Sequence, residues 1–416
     1  MAEQHEKALV PQIRFAGFAD PWEQRKLGEV ARRVTRKNEN GDSDLPLTIS
    51  AQYGLVDQRT FFNSQVASKD MSGYFLLHRG EFAYNKSTST DSPWGAIKRL
   101  EKYDMGCVST LYICFELLSG DPDFLVTYYE TDRWYKAVQL IAAEGARNHG
   151  LLNIAPDDFF ETQICIPKRI DEQRQIGAFF DRLDSLITLH QRKYDKLCVL
   201  KKSMLDKMFP KGGSLYPEIR FAGFTDPWEQ RKLEDYVVVS TAKNVDGRFN
   251  KEDVLSVSGE YGIVNQIAFQ GRSFAGSSVL NYGIVNTGDI VYTKSPLNSN
   301  PYGIIKVNKG IPGIVSTLYA VYRPQDNVHT NFIQVYFEQH ERMNNYMHPL
   351  VNKGAKNDMK VTAENALKGV VTFPSREEQV IISEFFDRLD SLITLHQRKL
   401  ELLRNIKKSM LDKMFV

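Results

Sequence analysis

The chain carries long parts of its sequence twice, at a fixed spacing of 206 residues. PQIRFAGFADPWEQRKL at 11–27 returns as PEIRFAGFTDPWEQRKL at 217–233, and FFDRLDSLITLHQRK at 179–193 returns unchanged at 385–399. Solenoid repeats are about 20–50 residues long, so each copy here is long enough for a whole domain and a connecting element. The sequence therefore predicts two similar halves fused head to tail.

The two halves diverge in the regions 28–166 and 234–373, where only short islands agree. The islands keep their order, with YGLVDQ, GEFAYNKS, STLY and GARN in the first half and YGIVNQ, GDIVYTKS, STLY and GAKN in the second. Two domains of one fold thus carry different surfaces, which is the pattern expected if they read two different ligands of one kind.

Composition sets broad limits on the protein. A chain of 416 residues with 42% apolar and 25% charged residues is ordinary for a globular protein. The first residues form no apolar signal segment, and no run approaches about 18 apolar residues, so we expect a cytoplasmic protein. The four cysteines form no CxxC pair and predict neither zinc nor disulfides. A net charge of +2 permits nucleic-acid binding without indicating it.

Two segments, 171–209 and 378–415, have apolar residues at alternating steps of mostly three and four, which predicts long helices with a heptad seam. At about 1.5 Å per residue such a helix is roughly 58 Å long. The predicted interface of the helix pair consists of Ile176, Phe180, Leu183, Ile187, His190 and Leu197 with Ile382, Phe386, Leu389, Ile393, His396 and Leu403.

The apolar stripe of a long helix must be buried, and the obvious partner is the other copy. A pseudo-twofold axis would make the two helices antiparallel and hold the globular domains apart. His190 and His396 are then interpreted as polar seam residues that help to set the register.

The predicted fold class is α+β, with two similar globular domains separated by an antiparallel coiled-coil pair. The predicted boundaries are 1–167 for the first domain with its N-terminal segment, 168–212 for the central helix, 213–374 for the second domain and 375–416 for the C-terminal helix. Within the domains, 74–87 and 282–295 have a strand, glycine turn and strand pattern. Segments 123–143 and 330–347 have helical patterns.

Motifs for catalysis or metal binding do not emerge from the sequence. There is no GxxxxGK[ST] phosphate loop and no GxGxxG. Three Asp/Asn-Pro-aromatic triplets, at 20–22, 226–228 and 300–302, lack the second proline typical of DNA amino-methyltransferases. Acidic groups around Asp123 and Asp157 lack the lysine that a metal nuclease would use. The chain is therefore expected to bind and not to catalyse, and to bind no metal or cofactor.

Two pairs of equivalent loops combine cations for phosphate with amide or hydroxyl groups for base edges, and they are the candidate DNA contacts. The candidates of the first half are Lys86, Ser87, Thr88, Thr90, Arg147 and Asn148. The candidates of the second half are Lys294, Ser295, Asn298, Asn300, Lys353, Lys356 and Asn357. A solvated loop without a ligand is the alternative interpretation.

The whole chain resembles the specificity (S) subunit of type I restriction-modification systems. The resemblance rests on the IRFAGF-DPWEQRKL openings, on the proline-then-acidic helix starts IPKRIDEQRQI and FPSREEQVII, and on the helices with FFDRLDSLI, HQRK and KKSMLDKMF. The helix starts depart slightly from the usual Pro-Pro-Leu-Glu-Glu-Gln form, but they keep the turn and the acidic first turn.

The resemblance implies that each variable region is a target recognition domain that reads one half of a bipartite, asymmetric double-stranded DNA site. The helix pair would set the half-site spacing and dock two methyltransferase subunits, and restriction subunits would join them. S-adenosylmethionine, ATP and Mg²⁺ would be used by those partners and not by this chain. The alternatives are a fused enzyme, either a DNA methyltransferase or a nuclease, and a non-specific coiled-coil scaffold.

Overall fold

A computed structural model describes residues 9–50, 53–62, 67–90, 92–142, 150–294, 300–353 and 359–416, with only the backbone of 352, 353, 359 and 360. The chain forms two compact units, of which unit 1 contains Met1–Gln191 with Arg398–Val416 and unit 2 contains Arg192–Gln397. Each unit thus joins one globular region to the beginning of one long helix and the end of the other.

The elements of unit 1 are numbered in chain order. The last of them, the first long helix, begins in unit 1 and ends in unit 2. The elements are β1 (Glu23–Lys26), α1 (Leu27–Val30), β2 (Ala31–Arg33), β3 (Leu47–Ser50), β4 (Gly54–Asp57), α2 (Gln58–Phe62), β5 (Phe75–His78), β6 (Phe82–Asn85), β7 (Ala96–Arg99), β8 (Met105–Val108), β9 (Ile113–Leu117), α3 (Pro122–Tyr128), α4 (Tyr135–Ile141), α5 (Pro156–Phe160), β10 (Gln163–Ile166) and α6 (Ile170–Lys207).

Unit 2 repeats this order with small differences, and short 3₁₀ turns lie at Leu233–Asp235, Lys251–Asp253, His348–Leu350 and Asn365–Leu367. Its elements are β11 (Glu229–Lys232), β12 (Val237–Val239), β13 (Leu255–Ser258), β14 (Gly262–Asn265), α7 (Gln266–Gln270), β15 (Gly283–Val285), β16 (Ile290–Thr293), β17 (Ile305–Val307), β18 (Gly313–Val315), β19 (Tyr319–Pro324), α8 (Thr330–Glu338), α9 (His340–Met347), β20 (Asn352–Lys353), β21 (Met359–Lys360), β22 (Val370–Phe373) and α10 (Arg376–Met414).

The same antiparallel sheet forms the centre of both units. Its strand order is β2-β9-β6-β7 in unit 1 and β12-β19-β16-β17 in unit 2, so equivalent strands occupy equivalent places. Smaller pairs also correspond, with β3–β4 matching β13–β14 and β5–β8 matching β15–β18. The predicted α+β class and the predicted similarity of the two domains are therefore confirmed.

Strand β6 is buried on both faces. Phe82 and Tyr84 belong to the larger apolar cluster of unit 1, while Ala83 points into a second cluster and is equally buried. In unit 2, Tyr292 and Val291 divide between two clusters in the same way. The central sheet is thus covered on both sides, which makes it a rigid support for the loops that leave it.

Two helix predictions require correction because each segment contains two short helices. Segment 123–143 divides into α3 and α4, and the indole of Trp134 donates to the carbonyl of Tyr129 at 3.1 Å across the break. Segment 330–347 divides at Gln339, whose backbone is extended with φ −77° and ψ 116°. Trp134 and Phe337, which lie beside these breaks, are buried in the apolar clusters of their units.

The two long helices are continuous, and their segments run antiparallel within each unit. In unit 1, Phe180 of α6 contacts Phe415, with 6.0 Å between ring centroids. Farther along α6, Gln191 accepts a hydrogen bond from Arg404 at 2.9 Å. Rising numbers on one helix thus meet falling numbers on the other. Unit 2 repeats the contact with Phe386 and Phe209, at 6.3 Å.

The predicted interface residues divide by depth. Those in the first turns of the helices, which pack against the adjoining globular region, are fully buried, whereas those toward the middle are half-buried. The buried set is Ile176, Phe180, Leu183, Ile382, Phe386 and Leu389, and the half-buried set is Ile187, His190, Leu197, Ile393, His396 and Leu403.

The repeated opening segment binds the start of the long helix. Arg14 donates through Nε and Nη2 to the two carboxylate oxygens of Glu172, at 2.6 and 2.7 Å. Arg220 and Glu378 make the same two bonds at 2.8 Å. Both glutamates are 1% exposed. The acidic helix start noted in the sequence therefore positions a buried carboxylate as the partner of an arginine 158 residues away.

Candidate nucleic-acid interface

The candidate loop of each unit connects one edge strand of the central sheet to the strand beside it. In unit 1 it joins β6 to β7, where Asn85 pairs with Ala96, and in unit 2 it joins β16 to β17. The two loops have one sequence frame, KSTSTDSPWG at 86–95 and KSPLNSNPYG at 294–303. Lys-Ser at the beginning and Pro-aromatic-Gly at the end are therefore common, and the five residues between them differ.

One tyrosine closes the base of each loop. The buried hydroxyl of Tyr84 donates to the carbonyl of Trp94 at 2.7 Å, and that of Tyr292 donates to the carbonyl of Tyr302 at 2.9 Å. Burial raises the pKa of both tyrosines well above the usual range, so the hydroxyls stay protonated as donors. Because the tyrosines lie in buried strands, they fix the end of the loop relative to the sheet.

Glycine at the end of each loop is required by space and by backbone conformation. Gly95 and Gly303 have φ of +79° and +76°. A Cβ atom at Gly95 would overlap the carbonyl oxygen of Asn85, and one at Gly303 would overlap that of Thr293. The sequence hypothesis named the loops but missed this closure. The ten-residue frame common to both halves was the signal that could have found it.

The first loop is bound to the chain that follows segment 143–149. Lys86 donates through Nζ to the carbonyl of Ile154 at 3.2 Å, and burial lowers the pKa of its ammonium group. The hydroxyl of Thr88 donates to the carbonyl of Gly150 at 3.0 Å. Ser87 and Thr90 are exposed. The structure therefore brings the predicted 86–90 loop next to Gly150 and Ile154.

In unit 2 the described candidates are fewer. Lys294 donates through Nζ to the carbonyl of Thr317 at 3.4 Å, and the carbonyl of Asn300 accepts from the amide of Gly303 at 2.9 Å. Lys353 lies in β20, which pairs with β21. Arg147, Asn148, Ser295, Asn298, Lys356 and Asn357 lie outside the described residues.

A second repeated feature lies on the long helices. The leucines of the duplicated segment expose nearly equal fractions of their surface in the two copies, 45% for Leu186 and 44% for Leu392, and 46% for Leu189 and 45% for Leu395. Leu186 and Leu189 are three residues apart and therefore lie on the same side of the helix, as do Leu392 and Leu395. The face is identical in sequence in the two copies.

Among the residues that the structure describes, no group of three or more His, Cys, Asp or Glu side chains could hold a metal ion. The described helices also include none with the length and apolar character that a membrane span requires.

Comparison with known proteins agrees with the resemblance of the motifs. The profile of the family described as Type I restriction modification DNA specificity domain matches residues 225–405. A crystal structure of the type I restriction-modification S subunit from M. genitalium has a TM-score of 0.59 and 14% identity, covering 98% of this chain and 99% of its own. A crystal structure of the HsdS subunit from Thermoanaerobacter tengcongensis has a TM-score of 0.41 and 17% identity, and the alignment covers 96% of this chain and 98% of that subunit.

The fold comparison thus rests on the first of these structures, which aligns along nearly the whole chain. The family profile covers much of the second half, and the first half repeats the same opening, helix start and helix motifs. Residues 225–405 thus match the family described as Type I restriction modification DNA specificity domain, and the chain as a whole shares the fold of the M. genitalium S subunit.

Proposed function

We propose that this chain reads DNA sequence for a type I restriction-modification complex, with each globular domain reading one half of a bipartite, asymmetric double-stranded target. One observation carries this proposal. The same sheet and the same tyrosine-closed loop base occur in both units, while the five residues between the common loop ends differ. A common support with two different reading loops is suited to an asymmetric site.

The chemistry of the loops supports DNA as the ligand. Lysine at the start of each loop provides a cation for phosphate, and hydroxyl and amide side chains such as those of Thr90 and Asn300 match the donors and acceptors of base edges. Phosphate contacts release counterions, so we expect the affinity of the assembled complex to fall steeply as salt rises.

The long helices are proposed to set the distance between the half-sites. Helix α6 contains 38 residues, which corresponds to about 57 Å at about 1.5 Å per residue. Two reading domains on such a connector are compatible with half-sites separated by about one turn of DNA, roughly 34–36 Å, or more.

The duplicated leucine face is proposed to dock two copies of one methyltransferase subunit. Identical exposed residues in both copies favour identical partners, one for each half. In this proposal the partner subunits perform adenine methylation with S-adenosylmethionine, and restriction subunits cleave with ATP and Mg²⁺. This chain itself contributes no catalysis and binds none of these cofactors. It would act in the cytoplasm, where the DNA is.

A domain exchange tests the reading function. Residues 28–166 are replaced by the corresponding region of another specificity subunit, and the methylome is sequenced in cells that express the chain with its methyltransferase partner. We expect one half-site to change while the other half-site and the spacer length stay the same. A change in both half-sites, or methylation without sequence preference, would contradict the proposal and favour a non-specific scaffold.

Incubation of the purified chain alone with DNA and either S-adenosylmethionine or Mg²⁺ tests the alternative of a fused enzyme. No methyl transfer and no strand cleavage are expected. Turnover would assign catalysis to the chain itself if it persists after further purification and is lost in variants of this chain.

A further inference from the structure

Both units carry the four-residue turn Ser-Thr-Leu-Tyr, at 109–112 and 316–319, between strands whose sequences differ. The turn leads into β9 in unit 1, and in unit 2 its tyrosine begins β19. Identity at this point within diverged regions indicates a role that both domains need. The serine and the tyrosine of the turn have a structural role, whereas the leucine does not.

The serine and tyrosine have structural roles. The amide of Tyr112 donates to the carbonyl of Ser109 at 3.1 Å, and that of Tyr319 donates to the carbonyl of Ser316 at 3.1 Å. The serine hydroxyl oxygens also accept from the leucine amides, at 3.3 and 3.2 Å. Both tyrosine rings pack against the second apolar cluster of their unit. Serine thus forms the turn and tyrosine attaches it to the domain.

The leucine has no such role in the fold. Leu111 is 56% exposed and Leu318 is 66% exposed, and the preceding residues Thr110 and Thr317 are also exposed. A single exposed leucine is common on protein surfaces. Here, however, the same exposed leucine stands on the same turn in two domains whose sequences differ outside short islands, so local folding alone does not account for it.

The turn lies at the same end of the central sheet as the start of the candidate loop. Tyr84 pairs with Ile113 in unit 1, and Thr293 pairs with Tyr319 in unit 2. Because antiparallel partners face each other, the residues just before β9 and β19 lie beside the residues just after β6 and β16. The bond from Lys294 to the carbonyl of Thr317, at 3.4 Å, joins loop and turn directly.

We propose that these two turns form a sequence-independent contact with the sugar–phosphate backbone of the DNA. The inference rests on the proposed function. A contact that is the same in both domains cannot distinguish two different half-sites, so it fits the part of DNA that does not vary. The threonine hydroxyl and the neighbouring lysine match phosphate oxygens, and the leucine matches the apolar face of deoxyribose.

The test uses the complete complex of this chain with its methyltransferase subunit. Binding is measured for the wild type and for Leu318→Ser, on the target duplex and on a duplex with both half-sites scrambled. Loss of one buried leucine contact is expected to weaken binding by roughly tenfold on both duplexes, leaving their affinity ratio unchanged. Leu111→Ser is expected to do the same. Ile311→Ser, at a 73% exposed residue outside the turn, is the control and should change neither affinity.

Three results would overturn the role of the turns: unchanged affinity in both leucine variants, a changed ratio between the two duplexes, or loss of the methyltransferase subunit from the complex. The last result would identify the turn as a protein interface. Circular dichroism and the unfolding midpoint establish that the variants fold. A wild-type complex that does not distinguish the two duplexes would instead contradict the proposed function, so the two failures are separable.

Discussion

The ammonium nitrogen of Lys407 lies 2.6 Å from Oδ1 of Asp184, joining the end of α10 to the beginning of α6 within unit 1. The same nitrogen lies 2.7 Å from Oε2 of Glu130 in the globular region. In unit 2, Lys201 lies 2.6 Å from Asp390 and 2.9 Å from Glu338. Each half of the sequence thus supplies the lysine for the other half, which fixes the antiparallel order of the helix segments.

Removal of the lysine should destabilise unit 1. Lys407→Met removes the cation that the carboxylates of Glu130 and Asp184 share, and leaves only Lys98, 3.5 Å from Glu130, beside them. Fully buried pairs cost about 3–5 kcal/mol when one partner is removed, and because the side chain of Asp184 is 45% exposed, we expect about 2 kcal/mol. Urea unfolding measures the change, and Lys408→Met, at an exposed neighbour, should lie within about 0.5 kcal/mol of the wild type. Equal losses of stability in Lys407→Met and Lys408→Met would show that the ion pairs of Lys407 do not stabilise unit 1.

The same cluster predicts a pH dependence with two opposite signs. Burial raises the pKa of Glu130, but Lys407 and Lys98 outweigh it and hold the pKa below its ordinary value of 4.5. Glu130 therefore stabilises the fold above about pH 4.5, and this contribution is lost as the pH falls through the lowered folded pKa. Burial raises the pKa of Asp184 despite the attraction of Lys407, so its charge disfavours the fold at neutral pH, and protonation relieves that effect.

Urea unfolding of Glu130→Gln and Asp184→Asn between pH 7 and pH 3 separates these contributions. The stability advantage of the wild type over Glu130→Gln should shrink as the pH falls. Relative to Asp184→Asn, the wild type should gain stability over the same range. Parallel pH trends in the two variants would be incompatible with the opposite pKa shifts.

The loop base should tolerate no side chain at its glycine. Gly95→Ala places a Cβ atom against the carbonyl of Asn85 and requires a left-handed backbone, so we expect a loss of about 3 kcal/mol or a displaced loop with weakened reading of the first half-site. Gly80 also has positive φ, at +93°, but has no atom within 4 Å of the added Cβ. Gly80→Ala should therefore cost only about 1 kcal/mol, and thermal unfolding compares the two.

The buried arginine pair should distinguish arginine from lysine. Arg220→Lys keeps the positive charge but cannot make the two parallel bonds to Glu378, a carboxylate that is 1% exposed, and we expect a loss of about 2 kcal/mol in urea unfolding. Arg231→Lys is the matched control, because Arg231 pairs with the exposed Glu229 and should change stability by less than about 0.5 kcal/mol. A loss of less than about 0.5 kcal/mol in Arg220→Lys as well would show that the second hydrogen bond to Glu378 does not stabilise the fold.

The duplicated helix face predicts the stoichiometry of the complex. Leu392→Ser with Leu395→Ser should leave this chain folded, since all four helical leucines are about half exposed, but should release one of the two methyltransferase subunits of the proposed complex. Leu186→Ser with Leu189→Ser should release the other. Native mass spectrometry counts the subunits, and Leu140→Ser, at a 79% exposed residue elsewhere, is the control. Retention of both subunits in the combined quadruple variant would exclude this face.

The sequence predicted well where the signal is local or repeated. Apolar spacing along α6 and α10 predicted their bounds to within two residues, because helical periodicity depends only on neighbouring residues. The strand, turn and strand pattern also placed the candidate loops. It did not predict the hydrogen bond from Tyr84 to Trp94, because a tyrosine in a strand has no sequence feature that identifies its acceptor.

The sequence by itself therefore determined that one domain is built twice, that two long amphipathic helices accompany the domains, and that the loops at 86–95 and 294–303 differ within a common frame. Only the tertiary structure decided that Lys407 pairs with Asp184 and that Phe415 packs against Phe180. These partners lie more than 200 residues apart in the sequence, and their contact depends on how complementary surfaces pack and not on any local preference of the chain.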